Sequence, residues 1–280
     1  MSSLTRLACA CLVIVLSGSF AARQFSNAQQ SVLTSNTPST SGPGTTKKMD
    51  EQALSREIQA ILTANQRLDT SVSVTDLQTG KSYHYGETAS YTAASINKLL
   101  TATLYLHQVE TGKASMGQQI GASSAQVQLE KLIVDSDNVA WHAFNDILTH
   151  PALQEYAKSA GINSYNAEEN TIHSDDIALL LSKLASGKLL NNANTKTLLS
   201  YMQRASMQNY VVAGTPKGAL AYHKTGYLSD RFHDAVIIKK DKRSFVIVVF
   251  SKTNGAYDFS KGASVLKQLG DKTSSVFFGS

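Results

Sequence analysis

The sequence predicts an α/β protein of two lobes: an antiparallel sheet of about five strands flanked by terminal helices, and a second, mostly helical lobe. Three observations carry that expectation. Beyond residue 50, strand patterns occur only towards the two ends, helical patterns fill the middle from about 96 to 210, and amphipathic helices bracket the whole. With 42 % of 280 residues hydrophobic, the chain has enough apolar material for a sizeable core.

The N-terminus stands apart from that domain. Arg6 precedes the apolar run Leu7 to Phe20, and the small residues Ser26-Asn27-Ala28 follow it. A positive start, a short apolar stretch and a small-residue exit describe a secretory signal over residues 1–28 or, if uncleaved, an N-terminal anchor forming a membrane tether. The run is short for a comfortable spanning helix. Export to the cell envelope or the medium is the expected destination. Cys9 and Cys11 both lie in this segment, so a mature chain would hold no cysteine. That excludes a disulfide framework, a thiol nucleophile and cysteine-bound zinc. Residues 29–48 are rich in Ser, Thr, Asn, Gly and Pro, cannot bury enough surface to offset their chain entropy, and read as a flexible linker. The folded domain is expected over 49–280.

Net charge is +5, falling to +3 when Arg6 and Arg23 leave with the signal. No basic stripe is interleaved with aromatics, so nucleic acid is not an expected partner. The run Lys239-Lys240-Asp241-Lys242-Arg243 reads as a hairpin turn.

Within the domain, Leu54, Ile58, Ile61 and Leu62 recur at helical spacing across Asp50–Gln66. Ser71 to Leu77 alternates, Thr79-Gly80 turns the chain, and Lys81 to Tyr85 returns, which is a hairpin. Helical spacing resumes over Ile96–Val109, Val127–Val134, Val139–Leu148, Ala152–Ser159, Asp175–Ala185 and Asn194–Met202. Leu220–Leu228, Ala235–Lys239 and Phe245–Ser251 form a meander, and an amphipathic helix runs from Asp258 to about Thr273. Trp141, Phe144, Ile147 and Leu148 are expected in the core, as are Tyr83, Tyr85 and Tyr91.

Three short elements carry chemistry. In Ser95-Ile96-Asn97-Lys98, at a helix start, the i, i+3 spacing puts hydroxyl and amine on one face. A serine hydroxyl needs a base to become a nucleophile, and a lysine that is desolvated or near other positive charge can serve. The same spacing in Ser264-Val265-Leu266-Lys267 carries no such context. Ser136-Asp137-Asn138 precedes a helix; these residue types are N-caps, or Ser136 relays a proton while Asn138 binds a substrate amide or orders Lys98. Lys224-Thr225-Gly226 lies in a strand, where a glycine marks a bulge or the close approach of a ligand or another backbone.

Taken together, in this order and on these elements, the three motifs resemble those of class A β-lactamase-like serine hydrolases, the penicillin-recognising acyl-transferases, from about residue 50 onward. The resemblance implies Ser95 as acylated nucleophile, Lys98 as base, Ser136 as proton relay to the leaving nitrogen and Lys224 as the source of positive potential. It further implies Thr225 as a carboxylate contact, with Arg231 or His233 adding another, and Gly226 and Asn138 lining the substrate site. The N–H groups of Ser95 and Tyr227 would form the oxyanion hole. The substrate would be a β-lactam, or a D-Ala-D-Ala-type peptide in a carboxypeptidase; a non-catalytic penicillin-binding sensor is the rival reading. A monomer without cofactor is expected. The seven histidines contain no His-Glu-x-x-His pair, and His142 with Asp146 reads as a polar helix face rather than half a metal site.

One feature departs from that pattern. β-Lactamases of the family carry a loop glutamate that activates the deacylating water. Here Glu168 and Glu169 are the only carboxylates between Gly161 and the helix entered at Thr171–Asp176, and both read as surface or helix-start residues. Deacylation is therefore expected to be slow.

Overall fold

A computed structural model describes residues 49–253 and 259–279. The signal and linker expectations, and Asp258 as a helix start, lie outside the described residues. Among the described residues, no helix is long and apolar enough to cross a membrane.

Asp50 opens α1 (Glu51–Ala64) by accepting the N–H groups of Gln52 and Ala53, the usual role of an N-cap carboxylate. The stripe Leu54, Ile58 and Ile61 is buried beneath it. The hairpin β1 (Leu68–Asp76) and β2 (Ser82–Gly86) follows, then β3 (Tyr91–Thr92) and a 3₁₀ turn over Ala94–Asn97. The helical lobe comprises α2 (Lys98–Glu110), the short strands β4 (Gln119–Ile120) and β5 (Ser123–Ser124), α3 (Ala125–Glu130), α4 (Asn138–Leu148), α5 (His150–Ser159), β6 (Thr171–Ile172), α6 (Ser174–Ala185) and α7 (Asn192–Gln203). β7 (Leu220–Leu228), β8 (Arg231–Lys240), β9 (Arg243–Thr253) and α8 (Phe259–Phe278) complete the chain.

The five long strands form one antiparallel sheet in the order β2-β1-β9-β8-β7. β9 is central, which explains its unbroken apolar run: Phe245, Ile247 and Val249 join the core under α1 and α8, while Val246, Val248 and Phe250 join the core shared with the helical lobe. Truncating Phe250 to Ala would cost about 3–5 kcal/mol. The basic run forms the β8–β9 turn, with Asp241 at φ 53°.

Four of the aromatic and apolar expectations need adjustment by position. Phe144 and Leu148 are buried, but Ile147 is 46 % exposed and Trp141 only half-buried. α4 packs one stripe against α2 and leaves the rest of its surface to solvent. Tyr91 is buried, and Tyr83 and Tyr85 pack at the edge of the sheet core.

Candidate active site

Ser95 sits in the 3₁₀ turn just before α2 rather than on the helix body, and it is half-buried. Ala94 enters that turn at φ 49°, a backbone state that is unusual without glycine and marks a position held by its surroundings. Lys98 is the first residue of α2 and is buried at 1 % exposure.

Ser136 reaches it from the segment between α3 and α4. The chain leaves α3 through a π-helical turn over Lys131–Asp135, and Ser136 then adopts the left-handed conformation, φ 57°. Asp137 caps α4, its carboxylate accepting the N–H groups of Val139 at 2.6 Å and Ala140 at 3.0 Å. The capping and functional readings of Ser136-Asp137-Asn138 thus fall on different residues of the triplet. The Lys98 ammonium donates to the Ser136 carbonyl at 2.5 Å, to Asn138 Oδ1 at 2.7 Å and to Ser136 Oγ at 3.3 Å.

From the sheet side, Lys224 Nζ donates to the same Ser136 Oγ at 2.9 Å and to the Thr225 carbonyl at 3.1 Å. Ser136 Oγ therefore lies between two amines. Burial pulls Lys98 down to about 8 against the attraction of Asp137. Burial, and then the charge of Lys98, pull Lys224 down to about 7 against the attraction of Asp234.

Gly226 explains how β7 comes so close. A Cβ there would lie 2.9 Å from the Ala93 carbonyl, 3.1 Å from Ile96 Cγ1 and 3.3 Å from Ala94 Cβ, so only glycine lets the strand pack against the turn carrying Ser95. β7 is the sheet edge and reaches β8 through the two-residue turn Ser229-Asp230. The pair flanking such a turn is hydrogen-bonded and the pattern alternates, so the N–H of Tyr227 points away from β8.

A cavity of about 250 Å³ is lined by Ser95, Lys98, Asn138 and Tyr227, together with Asn170, Trp141 and His142. Ser136 and Lys224 join this group through their contacts with Lys98 and with each other. Thr225 is buried in β7 beside them.

Two predicted residues are not brought in. His233 is fully buried between neighbouring strands, with one ring nitrogen 3.0 Å from the Thr92 carbonyl and the other accepting the Ser251 N–H at 3.2 Å. Burial lowers it to about 4, so it carries no charge for a carboxylate. Arg231 pairs with Asp230 at 3.0 Å and lines a neighbouring groove with Asp69, Glu87 and Lys252, which meets the cavity at Thr92. Both lie on β8, one strand in from the edge that borders the cleft.

Glu168 is 77 % exposed and pairs with His150 at 3.1 Å, and Glu169 is exposed. Asn166 Oδ1 accepts both their N–H groups at 3.0 and 3.1 Å, fixing a turn in which neither carboxylate joins the lining. Asn170 occupies that wall instead, at φ 50°, with its amide nitrogen 3.4 Å from the Ala94 carbonyl and its buried Oδ1 without a partner among the described residues. Asn170, Trp141 and His142 escaped the sequence reading. Trp141 and His142 follow Asn138 at helical spacing and share its face, a signal that was available.

The sheet, the helical lobe and this cleft define the β-lactamase and penicillin-binding-protein architecture. A model of the Beta-lactamase enzyme family matches residues 53–277, and the chain belongs to that family. It is 26 % identical over 204 residues to the extended-spectrum β-lactamase PER-1 of Pseudomonas aeruginosa, a match covering 56 % of this chain and 66 % of that enzyme, just under two thirds of its length. Among solved structures, a leucine-to-glutamate mutant of PBP-A in an acyl-enzyme complex with penicillin G matches at TM-score 0.75 and 22 % identity, covering 82 % of this chain and 98 % of PBP-A. A β-lactamase from Xanthomonas campestris pv. campestris matches at TM-score 0.73 and 18 % identity, over 80 % and 97 % of the two chains. At these identities the structural matches speak for the fold.

Proposed function

We propose that this protein is an exported serine hydrolase that forms an acyl-enzyme on Ser95 with β-lactams and releases it slowly. The observation that carries the reading is the Lys98 amine, desolvated and in contact with Ser136 and Asn138 on the wall of the cavity that Ser95 lines.

In the reaction, neutral Lys98 takes the Ser95 hydroxyl proton as Oγ bonds to the lactam carbonyl carbon. The oxyanion is met by the N–H groups of Ser95 and Tyr227, donors of a kind worth about 10²–10³ in rate each. The C–N bond then breaks, and the nitrogen receives its proton from Lys98 by way of Ser136 Oγ. Thr225 and the Lys224 ammonium hold the substrate carboxylate, whose charge keeps Lys224 protonated while Lys98 is not. Water must finally attack the ester, and the cavity lining offers that water no carboxylate. That lack also favours a second reading, a carboxypeptidase acting on D-Ala-D-Ala-type peptides. The signal-like residues 1–28 support export.

Intact-mass analysis with penicillin, beside chromogenic-cephalosporin and D-Ala-release assays, tests the proposal. A long-lived adduct mapped to Ser95 is expected. Rapid turnover without an adduct would contradict slow deacylation, and neither adduct nor turnover in folded protein would leave the non-catalytic sensor reading.

A further inference from the structure

We propose a second, metal-binding site outside the cleft, where His84, His173 and Asp175 converge on one divalent transition ion. His173 and Asp175 are neighbours in sequence, and His84, 91 residues before Asp175, meets them only through the fold. His84 lies on β2 directly opposite Ser73 of β1, while His173 and Asp175 sit at the start of α6. One ligand atom from each lies within 4.8 Å of the others.

His84 Nδ1 is 3.0 Å from Asp175 Oδ1, and His173 Nδ1 is 3.3 Å from Asp175 Oδ2. Four ligands at about 2.0–2.1 Å around zinc stand roughly 3.3 Å from one another; the two imidazoles already reach the two oxygens of one carboxylate at such distances, and a small inward movement would close the set, within 4.8 Å, on one ion. The surroundings also match what a metal site needs. His84 Nε2 is 3.0 Å from the Glu87 carbonyl, the partner that turns the other nitrogen of a ligating imidazole towards its metal. The Ser73 hydroxyl donates to Asp175 and fixes the carboxylate. Asp175 is about half exposed, leaving a fourth position for water.

The hydrogen-bond inventory adds an independent reason. Both nitrogens of His84 face acceptors, and one N–H cannot serve both. His173 Nδ1 accepts the Asp175 N–H at 3.2 Å, so it presents a lone pair beside the same carboxylate. A divalent ion bound to His84 Nδ1 and His173 Nδ1 would take up the lone pairs that both present beside the carboxylate. Two imidazoles and one carboxylate are a donor set for zinc, copper, nickel or iron rather than for magnesium or calcium. On binding, His84 would keep its single N–H on Nε2 towards the Glu87 carbonyl and turn Nδ1 to the metal, and the long 3.2 Å contact of His173 would be exchanged for the metal bond. The ion would tie the β1–β2 hairpin to the start of α6.

Thermal unfolding of the full chain, stripped with chelator and then given Zn²⁺, tests this. Zn²⁺ at about 100 times its dissociation constant should raise the midpoint by roughly 5–10 °C, with one ion retained per chain on dialysis. His173→Asn keeps an N-cap residue and His84→Gln keeps a polar side chain; each should lose the shift while leaving the metal-free midpoint close to wild type. His150→Gln should retain it, and Mg²⁺ should produce none. No Zn²⁺ shift in the wild type, or an equal shift in His173→Asn and His84→Gln, would overturn the site and leave the cluster a proton-bridged ion pair. Should either variant fail to fold, the dialysis stoichiometry of the wild type still decides: no retained ion rejects the proposal.

Discussion

On one wall of the cleft, Lys98, Ser136, Asn138 and Lys224 are held by contacts of 2.5–3.3 Å; on the wall preceding α6, an amide stands at the opening and both glutamates turn outward. The first wall carries the groups that the proposed acylation would use: a desolvated amine, a hydroxyl in contact with it and an outward N–H of the edge strand. The second offers no carboxylate to the lining, and the one histidine there, His142, comes from α4. The contrast teaches that, in the proposed cycle, acylation and deacylation would rest on separate structural elements. One half can be complete while the other is reduced.

The largest expected effects fall on the first wall. Ser95→Ala should abolish the penicillin adduct, and Lys98→Ala should slow its formation by about 10²–10⁴ at pH 8, followed by intact mass against time. Adduct formation at the wild-type rate in Lys98→Ala would move the base elsewhere. Next, Asn170→Asp should sharpen the comparison by giving the second wall a carboxylate at a left-handed position that Asp tolerates. Adduct lifetime should shorten by about 10²-fold with acylation little changed; an unaltered lifetime would show that the wall lacks something other than a base.

The pH dependence comes after these. Because the base must be neutral and Lys98 is pulled to about 8, acylation should fall about tenfold per pH unit below that value, measured by stopped-flow with a chromogenic cephalosporin. A flat profile between pH 6 and about 8 would break the assignment. The same depression acts on folding. The unfolded chain keeps these lysine protons up to about 10.5, whereas the folded chain releases them near 7–8, so burial costs most below about 7 and stability rises from there towards about 10. The smallest effect is expected from Gly226→Ala, which crowds the Ala93 carbonyl. It should cost about 1–3 kcal/mol in urea unfolding and retard acylation by displacing the Ser95 turn.

Much of this was legible in the sequence, for identifiable reasons. Period-two and period-3.6 patterns report directly which side of an element is buried, so the five strands and the terminal helices could be read from positions such as Phe245–Phe250 and Leu54–Ile61. The three motifs were legible because each joins residue types whose chemistry depends on local spacing. The structure leaves His233 and Arg231 outside the cavity lining, because a residue's place in its own strand does not say which neighbouring strand covers it.

By itself, then, the chain determined its elements, their order and the family its three motifs resemble, since these follow from side-chain period and local spacing. Only the tertiary structure decided that Ser136 Oγ stands between two lysines, that Asn170 faces the cleft while Glu168 turns to His150, and that His84 meets His173 and Asp175. Those outcomes depend on how strands register and how helices dock across long sequence separations, and no local pattern encodes that distance.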